Sequence, residues 1–128
     1  MRAGLRLLCL VLGLFSLAVG TARAAGFVEG VEDLPLMDGL EAEPGSAIVF
    51  DKPDGRIVEA FATGRVGRAE AVSFYETTLP QLGWSEADPK TKAAQKGGLA
   101  FARDGETLRL EFRETKGLLR VRFAIAPD

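Results

Sequence analysis

Apolar and polar residues alternate along two stretches near the C-terminal end of the chain, residues 107–114 and 119–125. The apolar positions are Leu108, Leu110, Phe112, Leu119, Val121, Phe123 and Ile125. A period of two residues places all of these side chains on one face of a strand. Because Thr115-Lys116-Gly117 separates the two stretches, the pattern predicts two adjacent strands with a shared apolar face.

Two further strand pairs are indicated upstream. Residues 46–50 (Ser-Ala-Ile-Val-Phe) and 56–63 read as strands, and the segment between them contains Pro53 and the pair Asp54-Gly55. Proline presets φ for a turn, and Asp-Gly tolerates positive φ, so this segment predicts a hairpin. Residues 99–103 form another short strand, and Asp104-Gly105 after it is a strong signal for a hairpin with a two-residue turn.

A helix is predicted between the two groups of strands. Its apolar residues recur at helical spacing and so share one face. They are Ala71, Val72, Tyr75, Leu79 and Leu82. Gly67 suits the position before the first turn, and Pro80 predicts a kink or an end near Leu79, because its ring crowds the carbonyl one turn earlier. Gly83 suits the left-handed conformation after a helix, and Trp84 is expected to be a buried anchor.

These elements predict an α+β fold in which one main helix packs on an antiparallel sheet, in the order β-β-α-β-β-β-β. The strand after the helix is short, near residues 84–86, and a polar loop extends to residue 98. We expect residues 46–128 to form this single domain. Residues 25–45 precede it as an acidic, irregular segment that is interrupted by glycine and proline. The segment also holds seven large apolar side chains, so we expect part of it to pack along the domain.

The first 24 residues have the pattern of an export signal. Arg2 and Arg6 give a positive start, residues 7–19 are apolar and uncharged, and Ala22-Arg23-Ala24 has the small-x-small pattern of a cleavage site. The apolar run is shorter than a bilayer requires, about 20 residues. We therefore expect residues 1–24 to be a signal peptide, the mature chain to begin at Ala25, and the protein to be exported, with the periplasm as its compartment.

The residue composition and the net charge exclude several classes of function. The chain has no histidine, and its only cysteine, Cys9, lies within the predicted signal. We therefore expect no disulfide, no metal site, no cofactor and no cysteine or histidine catalysis. Removal of the signal takes three of the 16 basic residues and none of the 18 acidic ones. The mature chain is thus acidic, which argues against nucleic-acid binding, and it has no second apolar run of spanning length.

One group of charged residues is a candidate site. The alternation places Arg109 and Arg113 on the polar face of one strand, and Arg120 and Arg122 on the same face of its neighbour. Four guanidinium groups on one sheet face suit an anionic ligand or the acidic surface of an envelope protein. Two other interpretations remain open: a solvated face of mixed charge, and an intramolecular contact in which the acidic N-terminal segment lies across the arginines.

A longer pattern runs from the helix into the last strands. It reads Val72-x-Phe74-Tyr75-x-x-x-Leu79-Pro80-x-Leu82-Gly83-Trp84, then Leu99-x-Phe101-x-x-x-Gly105-x-x-Leu108-x-Leu110. This pattern resembles that of small exported bacterial domains of unknown function, in which a helix ending in Leu-Pro-x-x-Gly-Trp leads into a β-meander. The resemblance covers about half of the mature chain and implies the fold. Its matching residues are structural, so it carries over no catalytic residue.

The sequence therefore favours a non-catalytic binding or interaction module of the bacterial cell envelope over an enzyme. The alternative is a small exported hydrolase that works with carboxylates alone, as some glycosidases do. A cleft lined by two Asp or Glu side chains would favour that alternative, and a closed core would favour the module.

Overall fold

The computed structural model describes residues 26–87 and 97–128. The predicted signal peptide, residues 1–24, lies outside the described residues, as does most of the loop predicted to follow the helix. The elements in chain order are β1 (Phe27–Val28), β2 (Val31–Pro35), β3 (Glu41–Ala42), β4 (Ile48–Lys52), β5 (Gly55–Gly64), α1 (Arg68–Gln81), β6 (Ser85–Glu86), β7 (Leu99–Arg103), β8 (Glu106–Thr115) and β9 (Leu118–Pro127).

The prediction of one helix on an antiparallel sheet is confirmed for the described part of the chain. The predicted order differs in detail, because three short strands, β1 to β3, come before the predicted series. They lie in the segment that we expected to be irregular. Its glycines and prolines limit these strands to five residues or fewer but do not prevent strand pairing.

The large sheet has the strand order β3-β5-β9-β8-β7-β6, and β4 also pairs with β5. All of its pairs are antiparallel. β3 and β4 therefore lie end to end along the same edge of β5. β1 and β2 form a separate hairpin.

One face of the sheet, which we call the inner face, carries the core. The predicted alternation holds here, because the cross-strand register aligns Leu110 with Phe123 and Phe123 with Ala60. Helix α1 covers this face, and the rings of Tyr75 and Phe123 meet edge to face with their centres 5.6 Å apart. Ala71, Tyr75 and Leu79 are fully buried, as the helical spacing predicts.

The end of the helix explains one departure from the predicted core. The N–H of Trp84 donates to the carbonyl of Leu79, and the N–H of Gly83 donates to that of Pro80. With Gly83 at a φ of 87°, this is a Schellman motif, which turns the chain sharply after the helix. Leu82 occupies the C-cap position and is exposed, whereas Trp84 is buried as predicted.

The N-terminal segment completes the core on the inner side. Six of its apolar side chains are buried, namely Val28, Val31, Leu34, Leu36, Met37 and Leu40. The hydroxyl of Tyr75 donates a hydrogen bond to the carbonyl of Pro35 and accepts one from the N–H of Met37. At the sheet end, Arg103 forms an ion pair with Asp33 while its guanidinium lies 4.3 Å from the centre of the Trp84 ring. This segment is thus an integral layer of the fold.

Candidate functional site

The opposite side of the sheet, which we call the outer face, carries the four predicted arginines. The register of β8 and β9 places Arg113 directly opposite Arg120, and Arg122 directly opposite Glu111. Arg109 lies opposite Ala124, further along β8. The structure therefore brings Arg113, Arg120 and Arg122 together and leaves Arg109 apart from them.

Arg122 is held between two carboxylates. Its Nε donates to Glu59 Oε2 at 2.9 Å, and its Nη1 lies 3.4 Å from Glu111 Oε1. Glu59 stands on β5 and Glu111 on β8, so the two acids flank β9 from either side. Opposite charges placed across neighbouring strands stabilise a sheet. The positive charge of Arg122 is thus neutralised by carboxylates on the two neighbouring strands.

Arg120 has a carboxylate partner from a different part of the chain. Its Nε and Nη2 donate to Glu43 Oε1 and Oε2 at 2.7 and 2.9 Å, which is a bidentate pair. The hydrogen bond from Arg120 holds the pKa of the Glu43 carboxyl below its usual value. The guanidinium of Arg120 also stacks on Phe61, with Cζ 3.8 Å from the ring centre.

The register of β3 places Glu43 on the outer face, because Ala42 before it pairs with the buried Ala62 and side chains alternate along a strand. An irregularity in the sheet edge follows Glu43. Glu41 pairs with Thr63 and Ile48 pairs with Glu59, so the edge strand contains three more residues than β5 between these pairs. The extra residues form a bulge between β3 and β4. Ser46 closes it, because its hydroxyl accepts from the N–H of Phe61 at 3.2 Å and donates to the carbonyl of the same residue. The N–H of Glu43 donates to that carbonyl as well.

Arg113 differs from its neighbours. Among the described residues, no carboxylate lies within ion-pair distance of Arg113. Its direct cross-strand neighbour is Arg120, and like charges in directly opposed positions repel. Because Glu43 neutralises Arg120, the charge of this pair that has no carboxylate partner among the described residues is that of Arg113.

These side chains surround a groove of about 380 Å³ on the outer face, which we call the arginine groove. It is lined by Phe61, Gly98, Glu111, Phe112, Arg113, Arg120 and Arg122. The volume is at the lower end of the range typical of small-ligand sites, about 300–1,000 Å³. The lining combines guanidinium groups with aromatic carbon, so the groove suits an anionic group attached to an apolar one.

A second groove lies between the N-terminal segment and α1. Its volume is about 510 Å³, and its lining includes two carboxylates, those of Asp38 and Glu70. Both residues are exposed. Within residues 26–87 and 97–128, no group of three or more His, Cys, Asp or Glu residues is placed to hold a metal ion.

In the described part of the chain, the N-terminal segment forms an ion pair with only one of the four predicted outer-face arginines. Glu43 reaches Arg120, whereas the apolar residues of the segment turn to the inner face. Sequence reasoning missed Glu43, Glu59 and Phe61 as members of the site. The alternation in β5 contained a signal for Glu59 and Phe61, since both are out of phase with the buried Val58 and Ala60. No local pattern marks Glu43, because its position depends on the pairing of the two-residue strand β3 with β5.

Comparison of the chain with known protein families, with curated proteins and with solved structures finds no match in any of the three. The resemblance to small exported domains therefore stays a prediction. In the part of the chain that the structure describes, no helix has the length and apolar character needed to cross a membrane.

Proposed function

We propose that this protein is a non-catalytic binding module of the bacterial cell envelope and that the arginine groove is its binding surface. One observation carries the proposal. Arg113 and Arg120 face each other across β8 and β9, with no carboxylate of the described residues bound to Arg113. An anionic group of a ligand or partner would give Arg113 the counter-charge that Glu43 gives Arg120.

The chemistry of the lining supports binding rather than catalysis. A guanidinium stays protonated at neutral pH, so it binds anions but does not act as a general base or a nucleophile. The carboxylate in the lining, Glu111, is engaged by Arg122. A hydrolase that uses carboxylates needs two of them with free access to the reacting bond.

The envelope location rests on the export pattern of residues 1–24. If the signal is cleaved after Ala24, the exported protein begins at Ala25. Mass spectrometry of the protein recovered from a periplasmic fraction measures this N-terminus directly. Full-length protein beginning at Met1 and retained in the cytoplasm would contradict the location.

Charge reversal within the groove tests the binding function. The tagged protein is incubated with envelope extract, and bound material is compared for the wild type, Arg113→Glu and Arg109→Glu. Arg109 is a matched control, because it lies on the same face of the same strand but outside the groove. We expect Arg113→Glu to abolish a specific capture that Arg109→Glu retains. Identical capture by all three proteins, or no specific capture by the wild type, would contradict the proposal.

The second groove supports the alternative of a carboxylate-dependent hydrolase, since Asp38 and Glu70 both line it. Their exposure weighs against this function, because a catalytic acid of this kind is normally tuned by burial. The alternative predicts glycosidase activity in the purified protein that both Asp38→Asn and Glu70→Gln abolish. Activity that survives both changes, or no activity on a panel of aryl glycosides, would contradict it.

A further inference from the structure

We infer that the arginine groove contains a subsite for a carboxylate group between Arg113 and Arg120, and that Glu43 competes for this subsite from within the chain. The inference rests on the proposed function, in that it takes the groove to be the binding surface. It adds the chemical class of the ligand and an internal control over its binding.

The contact between Arg120 and Glu43 indicates the ligand chemistry. Both oxygens of the Glu43 carboxylate accept hydrogen bonds from one edge of the Arg120 guanidinium, at 2.7 and 2.9 Å. Stacking on Phe61 fixes the plane of that guanidinium. A planar, oriented guanidinium matches the two oxygens of a carboxylate in a bidentate pair. The groove therefore presents a site whose shape already fits a carboxylate.

Arg113 supplies the second half of the subsite. It stands directly across from Arg120 and lines the same groove, and the structure shows no carboxylate of the described residues bound to it. In the structure the Arg120 guanidinium lies over Phe61 of β5 and binds Glu43, so one carboxylate would contact both arginines once Arg120 is released from Glu43. Glu43 instead approaches from the β3–β4 bulge and occupies Arg120 alone.

Glu43 is suited to be displaced. Its ion pair with Arg120 is partly exposed, at 47% for the Arg120 side chain and 29% for that of Glu43, and pairs screened by solvent contribute little to stability. A ligand carboxylate that contacts both arginines gains a second charged partner that Glu43 lacks. Binding of the ligand thus releases Glu43 from Arg120, and loss of Glu43 strengthens binding.

The aromatic part of the lining restricts the ligand further. The Phe61 ring borders the groove beside the arginines, whereas the Phe112 side chain packs against the core from the inner face. A ligand with an apolar group next to its carboxylate therefore fits better than a small hydrophilic anion. Two sources share this chemistry. One is a free organic acid, and the other is a carboxylate of a partner protein, from an Asp or Glu side chain or from its C-terminus.

A titration with defined probes tests the subsite. Amide chemical shifts are followed in the wild type, Glu43→Gln, Glu41→Gln and Arg113→Gln during addition of phenylacetate, of a capped peptide with alternating Glu and Phe, or of inorganic phosphate. Glu41 is the matched control, because it lies on the same edge beside the bulge and forms no ion pair with a described residue. Glu41→Gln removes the same charge without releasing Arg120.

We expect phenylacetate or the peptide to shift resonances of residues 111–113 and 120–122. We also expect Glu43→Gln to tighten binding by about three- to fivefold, which is the upper range for loss of an exposed ion pair. Glu41→Gln should bind as the wild type does, and Arg113→Gln should lose the response while keeping a folded spectrum. Binding of phenylacetate alone identifies a free organic acid as the source, and binding of the peptide alone identifies a partner protein; binding of both supports the subsite for either source.

Three results would overturn the inference: no localised shift in the wild type or in Glu43→Gln, an equal gain in Glu41→Gln and Glu43→Gln, or tighter binding of phosphate than of the carboxylates. Failure of the broader function is distinguishable. In that case the probes bind as expected, whereas capture from envelope extract does not depend on Arg113.

Discussion

The backbone N–H of Met37 donates a hydrogen bond of 3.3 Å to the hydroxyl of Tyr75. The same hydroxyl donates to the carbonyl of Pro35 at 3.2 Å. Tyr75 stands in the middle of α1, so one phenol oxygen connects the helix to the N-terminal segment. Burial raises the pKa of the Tyr75 hydroxyl well above its usual value, and it therefore stays protonated and able to donate.

Tyr75→Phe tests this connection. The change keeps the ring in the core but leaves the N–H of Met37 and the carbonyl of Pro35 without this partner. We expect a loss of about 1–3 kcal/mol in the free energy of unfolding, the usual cost of a buried polar group without a hydrogen bond. Urea unfolding measures the loss, and hydrogen exchange at Met37 should become faster. Unchanged exchange at Met37 would show that the bond does not hold the segment.

Trp84 and Leu82 form a second test, because they are close in sequence and differ in environment. Trp84 is buried at 2% exposure, whereas Leu82 is 40% exposed. We expect Trp84→Ala to lower the free energy of unfolding by about 3–5 kcal/mol, through lost burial and a residual cavity. Leu82→Ala should cost about 0.5 kcal/mol or less. Similar losses for both variants in urea unfolding would contradict the placement of Trp84 in the core.

Gly64 is required for a close approach of two chain segments. A Cβ atom at this position would overlap the carbonyl oxygen of Gly39, and backbone atoms cannot move aside as a flexible side chain does. We expect Gly64→Ala to lower the free energy of unfolding by about 1–3 kcal/mol. Gly26→Ala is the control, because its Cβ would only touch the side chain of Leu36 at 3.7 Å. Equal thermal stability of the two variants would contradict this explanation.

Acid should weaken the contact between Asp33 and Arg103. Burial raises the pKa of Asp33, but the hydrogen bond from Arg103 and the charges of Arg103 and Arg56 outweigh this and lower it overall. The folded carboxyl therefore has a lower pKa than the unfolded one, whose value is about 3.9. The ionised Asp33 carboxylate therefore adds to the free energy of unfolding above the unfolded pKa, and this contribution is lost as the pH falls through the folded pKa.

We therefore expect the free energy of unfolding to decrease as the pH is lowered below about 4. The pH dependence should be shallower in Asp33→Asn, which cannot ionise at this position. Urea unfolding between neutral and acidic pH measures both curves. Parallel curves for the two proteins would show that Asp33 is not linked to acid unfolding.

The local sequence patterns determined much of the architecture. The two-residue period in β8 and β9 placed Leu110 and Phe123 in the core and Arg113 and Arg120 on the outer face. The Pro80–Gly83 pattern predicted the helix end to within two residues: α1 continues past Leu79 through Pro80 to Gln81, and Gly83 takes the left-handed position after it. Such features depend on residues close together in the chain, so the sequence expresses them directly.

The tertiary structure decided the rest. The ion pair of Arg120 with Glu43 joins residues 77 positions apart, and the bond of Tyr75 with Met37 joins residues 38 apart. Glu43 reaches Arg120 because the short strand β3 pairs with β5, and no local periodicity encodes a pairing between segments so far apart in the chain. The sequence alone therefore determined which face carries the arginines, whereas long-range packing decided that Arg120 binds Glu43 and that Arg122 binds Glu59.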